Sequence, residues 1–138
     1  LADAPFFSTV IAIGIIPVAV LFVYSFLSGR KGWGFHNVSG IIAISWDLTM
    51  SMGYFVNRAV GPGTSLVISG PVLAYFIIHG IVSAVVIMIE ICVLATGIYN
   101  WRGPKKTVWH RRLSNVLFVI WWFSFLSGEI FYVGYYVM

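Results

Sequence analysis

Three histidines and three carboxylates carry whatever chemistry this chain performs. His79, Asp47, Glu90 and Glu129 fall inside long apolar runs, and His36 and His110 stand beside them. Imidazole ligates metals and haem iron, and carboxylates bind metals or relay protons. A charge at the centre of an apolar membrane core costs at least ~2.5 kcal/mol even on the lenient insertion scale. Such groups must therefore face protein and pair with something. His79, Ser83, Val86 and Glu90 follow helical spacing and form one stripe. Asp47, Ser51, Tyr54 and Arg58 form a second, and Trp122, Phe125, Glu129, Tyr132 and Tyr136 a third. Lipid offers no hydrogen-bond partner, so polar stripes point inward.

The elements that position these groups follow from composition. Of 138 residues, 60% are hydrophobic and 9% charged. Ordinary soluble domains carry about 25% charged residues, so lipid must be part of the solvent. A spanning helix needs roughly 20 apolar residues. Four segments qualify, near 6–28, 38–57, 71–99 and 113–137. They make a single transmembrane domain over residues 1–138. Short connections containing Gly61-Pro62-Gly63 and Gly103-Pro104 favour an all-α, up-down-up-down four-helix bundle. Pro71 suits the first turn of the third helix, and Pro17 is expected to kink the first. The first segment reads as a span rather than a secretory signal, because its basic residues follow it. The sequence displays no evident internal repeat.

Seven of the eight basic residues lie in the first and third connections. By the positive-inside rule these connections are cytoplasmic, with both termini outside. Trp33, Trp101 and Trp109 gather at the same end as interfacial aromatics, and Tyr132, Tyr135 and Tyr136 mark the other. The basic third connection reads as topology and headgroup contact, not as a nucleic-acid site. The chain belongs in a cell membrane as a multi-pass protein.

At about 1.5 Å per residue, Asp47 and Glu90 each lie roughly 14 Å from the cytoplasmic helix ends, in one layer. His79 and Glu129 lie roughly 25–30 Å from those ends and form an outer layer. His36 and His110 sit just before the second and fourth helices, at the cytoplasmic interface. They could meet across helix ends to bind one metal or flank a haem, or be plain interfacial residues. His79 and Glu129 could be a metal pair or a structural pair. Asp47 and Glu90 are buried polar groups that a bond to Ser, Tyr or Trp would explain, or part of a proton path with Glu129. Met50 and Met52 could serve Cu(I), though methionine in a helix usually packs. Cys92 stands alone and forms no internal disulfide. HExxH, CxxC and paired-histidine motifs are all missing from the sequence. A standalone enzyme is not expected, for want of a nucleophile–base pair or a phosphate loop.

Three histidine-centred segments then add up. Tyr54 follows His36 by eighteen residues. Tyr75-Phe76-Ile77-Ile78-His79 opens the third helix. His110-Arg111-Arg112 precedes Trp121, Gly128 and Tyr132. From about His36 to Met138 the chain resembles the CtaM/YozB-type family of small four-helix membrane proteins. His36-Asn37 departs from that family's pattern, which has a basic residue after its first histidine. The resemblance implies a role in the assembly of haem–copper oxidases, with His36, His79 and His110 as cofactor-binding residues. The expectation is an accessory subunit or assembly factor of a membrane redox complex, handling haem or copper. Its partners would be lipid and other integral subunits, with no nucleic acid. The alternatives are a small b-type cytochrome, a metal-site subunit of a membrane oxygenase, or a structural subunit. Cysteines introduced at Gly103 and Gly61 should be labelled from opposite sides of the membrane, Gly103 from the cytoplasm. Equal labelling from one side would sink this topology.

Overall fold

The structure, a computed structural model, describes residues 6–60 and 70–138. Gly61-Pro62-Gly63 lies outside the described residues. The fold is all-α: α1 Phe6–Lys31, α2 His36–Val60, α3 Pro71–Arg102 and α4 Trp109–Tyr132. A π-helical turn, Val133–Val137, continues α4. Each helix packs on two neighbours, α1 on α2 and α4, and α3 on α2 and α4. The start of α1 meets the end of α4 through Thr9 and Tyr132, 2.7 Å apart. The end of α1 meets the start of α4 where Arg30 donates to Asn115.

The helices reach further than the apolar runs. His36 is the first residue of α2 and His110 the second of α4, so both belong to helices rather than to the connections before them. Apolar windows stop where polar residues begin, but backbone hydrogen bonding does not. Pro71 does open α3, where its missing N–H is no loss. The amide of Gly103 closes α3 by donating to Tyr99 O. α1 runs on through Pro17 as one helix.

Three helices are long and apolar enough to cross a membrane: α1, α3, and α4 with its π-helical turn. α2 is 25 residues long but is not among them. It carries a larger polar share, and it turns Ser39 and Asp47 into the core.

That core is organised around a polar centre. Asp47 is 4% exposed and Glu90 is fully buried. Trp121 Nε1–H donates to Asp47 Oδ2 at 2.9 Å, and Ser51 Oγ–H reaches Oδ1 at 3.4 Å. The Glu90 carboxyl meets that of Asp47 at hydrogen-bond range. Neither Glu90 oxygen has an N–H or hydroxyl partner among the described residues. Two carboxyl groups can share a hydrogen bond only if one carries a proton. The pair would then hold one proton between its two carboxyl groups. Opposite this pair, Phe22 stacks on Trp121 with ring centres 4.4 Å apart.

The two halves of the chain correspond, which the sequence alone did not reveal. Val18 of α1 and Val86 of α3 are both buried, as are Phe22 and Glu90 one turn further on. Ala43 and Asp47 of α2 answer in the same way to Leu117 and Trp121 of α4. The central layer is therefore filled twice, once by Phe22 and Trp121 and once by Glu90 and Asp47. Apolar and polar fillings at equivalent places hide the repeat from composition.

Trp121→Phe should keep the aromatic stack but strip Asp47 of its strongest donor. A loss of about 1–3 kcal/mol is expected for an orphaned buried acceptor. Thermal unfolding in detergent of W121F, D47L and the double variant should reveal coupling between the sites. Simple additivity would contradict the contact.

Candidate functional site

The structure gives the three histidines a common seat. His36 lies against Ser28-Gly29 of α1, where a Cβ on Gly29 would come within 2.6 Å of its Cε1. His110 lies against Thr96-Gly97 of α3, with a 3.0 Å approach to Gly97. His79 lies against Ser127-Gly128 of α4, with a 3.1 Å approach to Gly128. A side chain at Gly29 would displace its ring, and one at Gly97 or Gly128 would make the ring give by a few tenths of an ångström.

The hydroxyl before each glycine folds back on its own helix. Ser28 donates to Ser25 O at 3.0 Å and Ser127 to Ser124 O at 2.9 Å, while Thr96 shares its proton between Cys92 O at 2.8 Å and Val93 O at 3.1 Å. The imidazoles complete the pattern. His36 Nδ1 lies 2.8 Å from Ser25 O, and His110 Nδ1 lies 3.1 Å from Val93 O. A carbonyl only accepts, so both Nδ1 atoms carry the proton. His79 Nδ1 lies 2.7 Å from Ser127 Oγ, which has already given its proton to Ser124 O. His79 is therefore protonated at Nδ1 as well.

The three differ at Nε2. The Ser83 hydroxyl approaches His79 Nε2 at 3.5 Å, and Ser83 also bonds Ser124 Oγ at 2.8 Å. Among the described residues no hydrogen bond reaches Nε2 of His36 or His110. Fixing Nδ1–H on a carbonyl while leaving Nε2 bare is how proteins orient imidazole for coordination.

His36 and His110 also face each other, their ring centres 6.2 Å apart at an interplanar angle of 71°. Two metal–imidazole bonds of about 2.0 Å, with the half-width of each ring added, put ring centres roughly 6 Å apart. The pair meets that spacing. It opens on a pocket of about 500 Å³ between the two halves. Phe22, Phe26 and Phe118 give it aromatic walls, and Arg30, Lys106 and Arg111 line its rim. The basic end beyond is reinforced by cations over aromatic rings, Arg30 on Phe26, Lys31 on Trp33 and Arg112 on Trp109.

A second pocket, of about 280 Å³, lies toward the other end, and the three polar stripes meet there. Asp47, Ser51, Tyr54 and Arg58 line it with His79, Ser83, Glu129, Tyr132 and Tyr136. His79 and Glu129 share this pocket, but the hydrogen bonds of His79 go to serines. Among the described residues no three His, Cys, Asp or Glu side chains gather as a metal cage. Met50 Sδ accepts from Trp46 Nε1–H at 3.0 Å and packs against Gly14, and Met52 is exposed.

Sequence reasoning found the histidines but not their seats. The signal was present as three Ser-Gly or Thr-Gly dipeptides, yet which helix each histidine crosses is a tertiary fact. No protein-family model matches the chain, and neither curated proteins nor solved structures provide a similar one.

Gly29→Ala and Gly97→Ala should each push a histidine off its seat. Overpacking of this kind costs about 1–3 kcal/mol. Gly34→Ala, whose new Cβ meets nothing within 4 Å, should be neutral. Thermal unfolding with imidazole NMR shifts checks this; equal behaviour of all three variants would contradict the seats.

Proposed function

We propose that this chain is a four-crossing membrane bundle that holds a haem-type metallocofactor between His36 and His110. In this reading it serves a membrane redox complex of the terminal-oxidase kind as accessory subunit or assembly factor. One observation carries the cofactor reading. Two imidazoles stand 6.2 Å apart over an aromatic pocket, each with Nδ1 bound to a carbonyl.

The residues present suit such a group. His36 and His110 would supply nitrogen ligands through Nε2, and Phe22, Phe26 and Phe118 would cover a planar macrocycle. Arg30, Lys106 and Arg111 at the rim would pair with its acidic substituents. When bound, iron held by two imidazoles supplies one-electron chemistry. The protein's own part is to fix ring orientation, exclude lipid and balance charge.

The membrane reading rests on the three apolar helices, with α2 as a fourth crossing whose polar residues are turned into the core. Up-down-up-down order, with both termini outside, follows from the basic residues collected at the His36–His110 end. That order would put His36 and His110 near the cytoplasmic face. The resemblance to the CtaM/YozB-type family supports the link to oxidases and their assembly.

Purified chain titrated with haemin should develop a sharp low-spin absorption band at one haem per chain. His36→Ala and His110→Ala should each remove the low-spin signature, while His79→Ala should keep it. Failure of wild-type chain to bind haemin would overturn the haem reading. Stoichiometric copper binding lost in the same two variants would transfer the site to copper. Recovery of the chain only as a free species after mild extraction, with no redox subunit beside it, would count against the complex.

A further inference from the structure

We propose that the Asp47–Glu90 pair is a proton-exchange site, reached through the second pocket from the end of the bundle opposite His36 and His110. The ligand is a proton carried by water. This inference needs no cofactor and does not rest on the His36–His110 reading.

The pair is built as a terminus. Glu90 is fully buried, and the polar partner it meets is Asp47. Asp47 is 4% exposed and forms part of the second pocket's lining. The pocket thus ends on the Asp47 carboxyl, with the fully buried Glu90 carboxyl behind it. Leaving through Asp47, the pair's proton would pass to water in the pocket, and the same water would return one. Charge and atoms balance in this exchange, and no oxidant or reductant takes part.

The walls are largely apolar but carry a row of partners for water. The titratable and charged side chains that line the pocket with Asp47 are Tyr54 and Arg58 from α2, His79 from α3, Glu129 and Tyr132 from α4, and Tyr136 from the π-helical turn. α1 supplies Ser8 and apolar groups only. Ser51, Ser83 and Ser124 stand among them, and small hydroxyls are suitable partners for water in transit. On the far side of the pair, Ala43, Ile44, Val93 and Leu117 are buried and apolar. They separate it from the histidine pocket, so exchange is one-sided.

Gly80 offers a plug. It lines the second pocket, and a Cβ there would meet nothing within 4 Å. The test is infrared spectroscopy of the whole chain in neutral phosphatidylcholine vesicles, following the protonated-carboxyl band after transfer to deuterated water. In wild type the band should shift as the proton exchanges, and in Glu90→Gln it should vanish. Gly80→Leu should slow the shift by about tenfold, equivalent to ~1.4 kcal/mol of barrier. Ile98→Phe, in the histidine pocket, should leave it unchanged. Ser8→Leu narrows the second pocket from α1 and carries the test if Gly80→Leu does not assemble. A band that survives E90Q, a wild-type band that never exchanges, or exchange as fast with the pocket filled would overturn the proposal. Slowing by I98F instead would overturn its direction.

Discussion

A carboxyl group inside an apolar bundle must find its partner within the protein, and the architecture follows from how Asp47 and Glu90 meet that demand. Their contact joins α2 to α3, and the Trp121 N–H draws α4 to the same point. Phe22 then completes the layer by stacking on Trp121 from α1. All four helices are tied at one level by a carboxyl pair, an indole and a ring stack. The two pockets are what remains above and below this knot.

The matched halves explain why the knot is lopsided. At equivalent places one side carries an aromatic stack and the other a carboxyl pair. Removing a buried ion or hydrogen-bond partner costs more than replacing both members with apolar groups, so such pairs change together or not at all. At the basic end the halves stay alike, with His36 and His110 seated by the same three-residue geometry. The halves are therefore alike where the imidazoles sit and different where the central layer is filled.

Much of this was legible in the residues. Helix number and type followed from four apolar runs, and the depth calculation correctly put Asp47 and Glu90 in one layer. The stripes through His79, Asp47 and Glu129 do converge on one pocket. Helix ends were less visible, because α2 and α4 begin at polar residues that hydropathy discards. The seats were invisible for a different reason. Thr96-Gly97 becomes a seat only when His110 folds back on it across the connection, and spacing along the chain does not say how far that turn reaches. Equally, His79 and Glu129 share a depth, but depth does not decide which neighbour His79 bonds. Ser127, one residue from Gly128, has that place.

Every histidine rests on a helix of its own hairpin: His36 on α1, His79 on α4 and His110 on α3. Each hairpin can therefore orient its imidazoles by itself, before the other half has been synthesised. The facing of His36 and His110, by contrast, exists only across the two hairpins. A molecule gripped by both would rivet them together, and its arrival would mark the last step of biogenesis rather than the first.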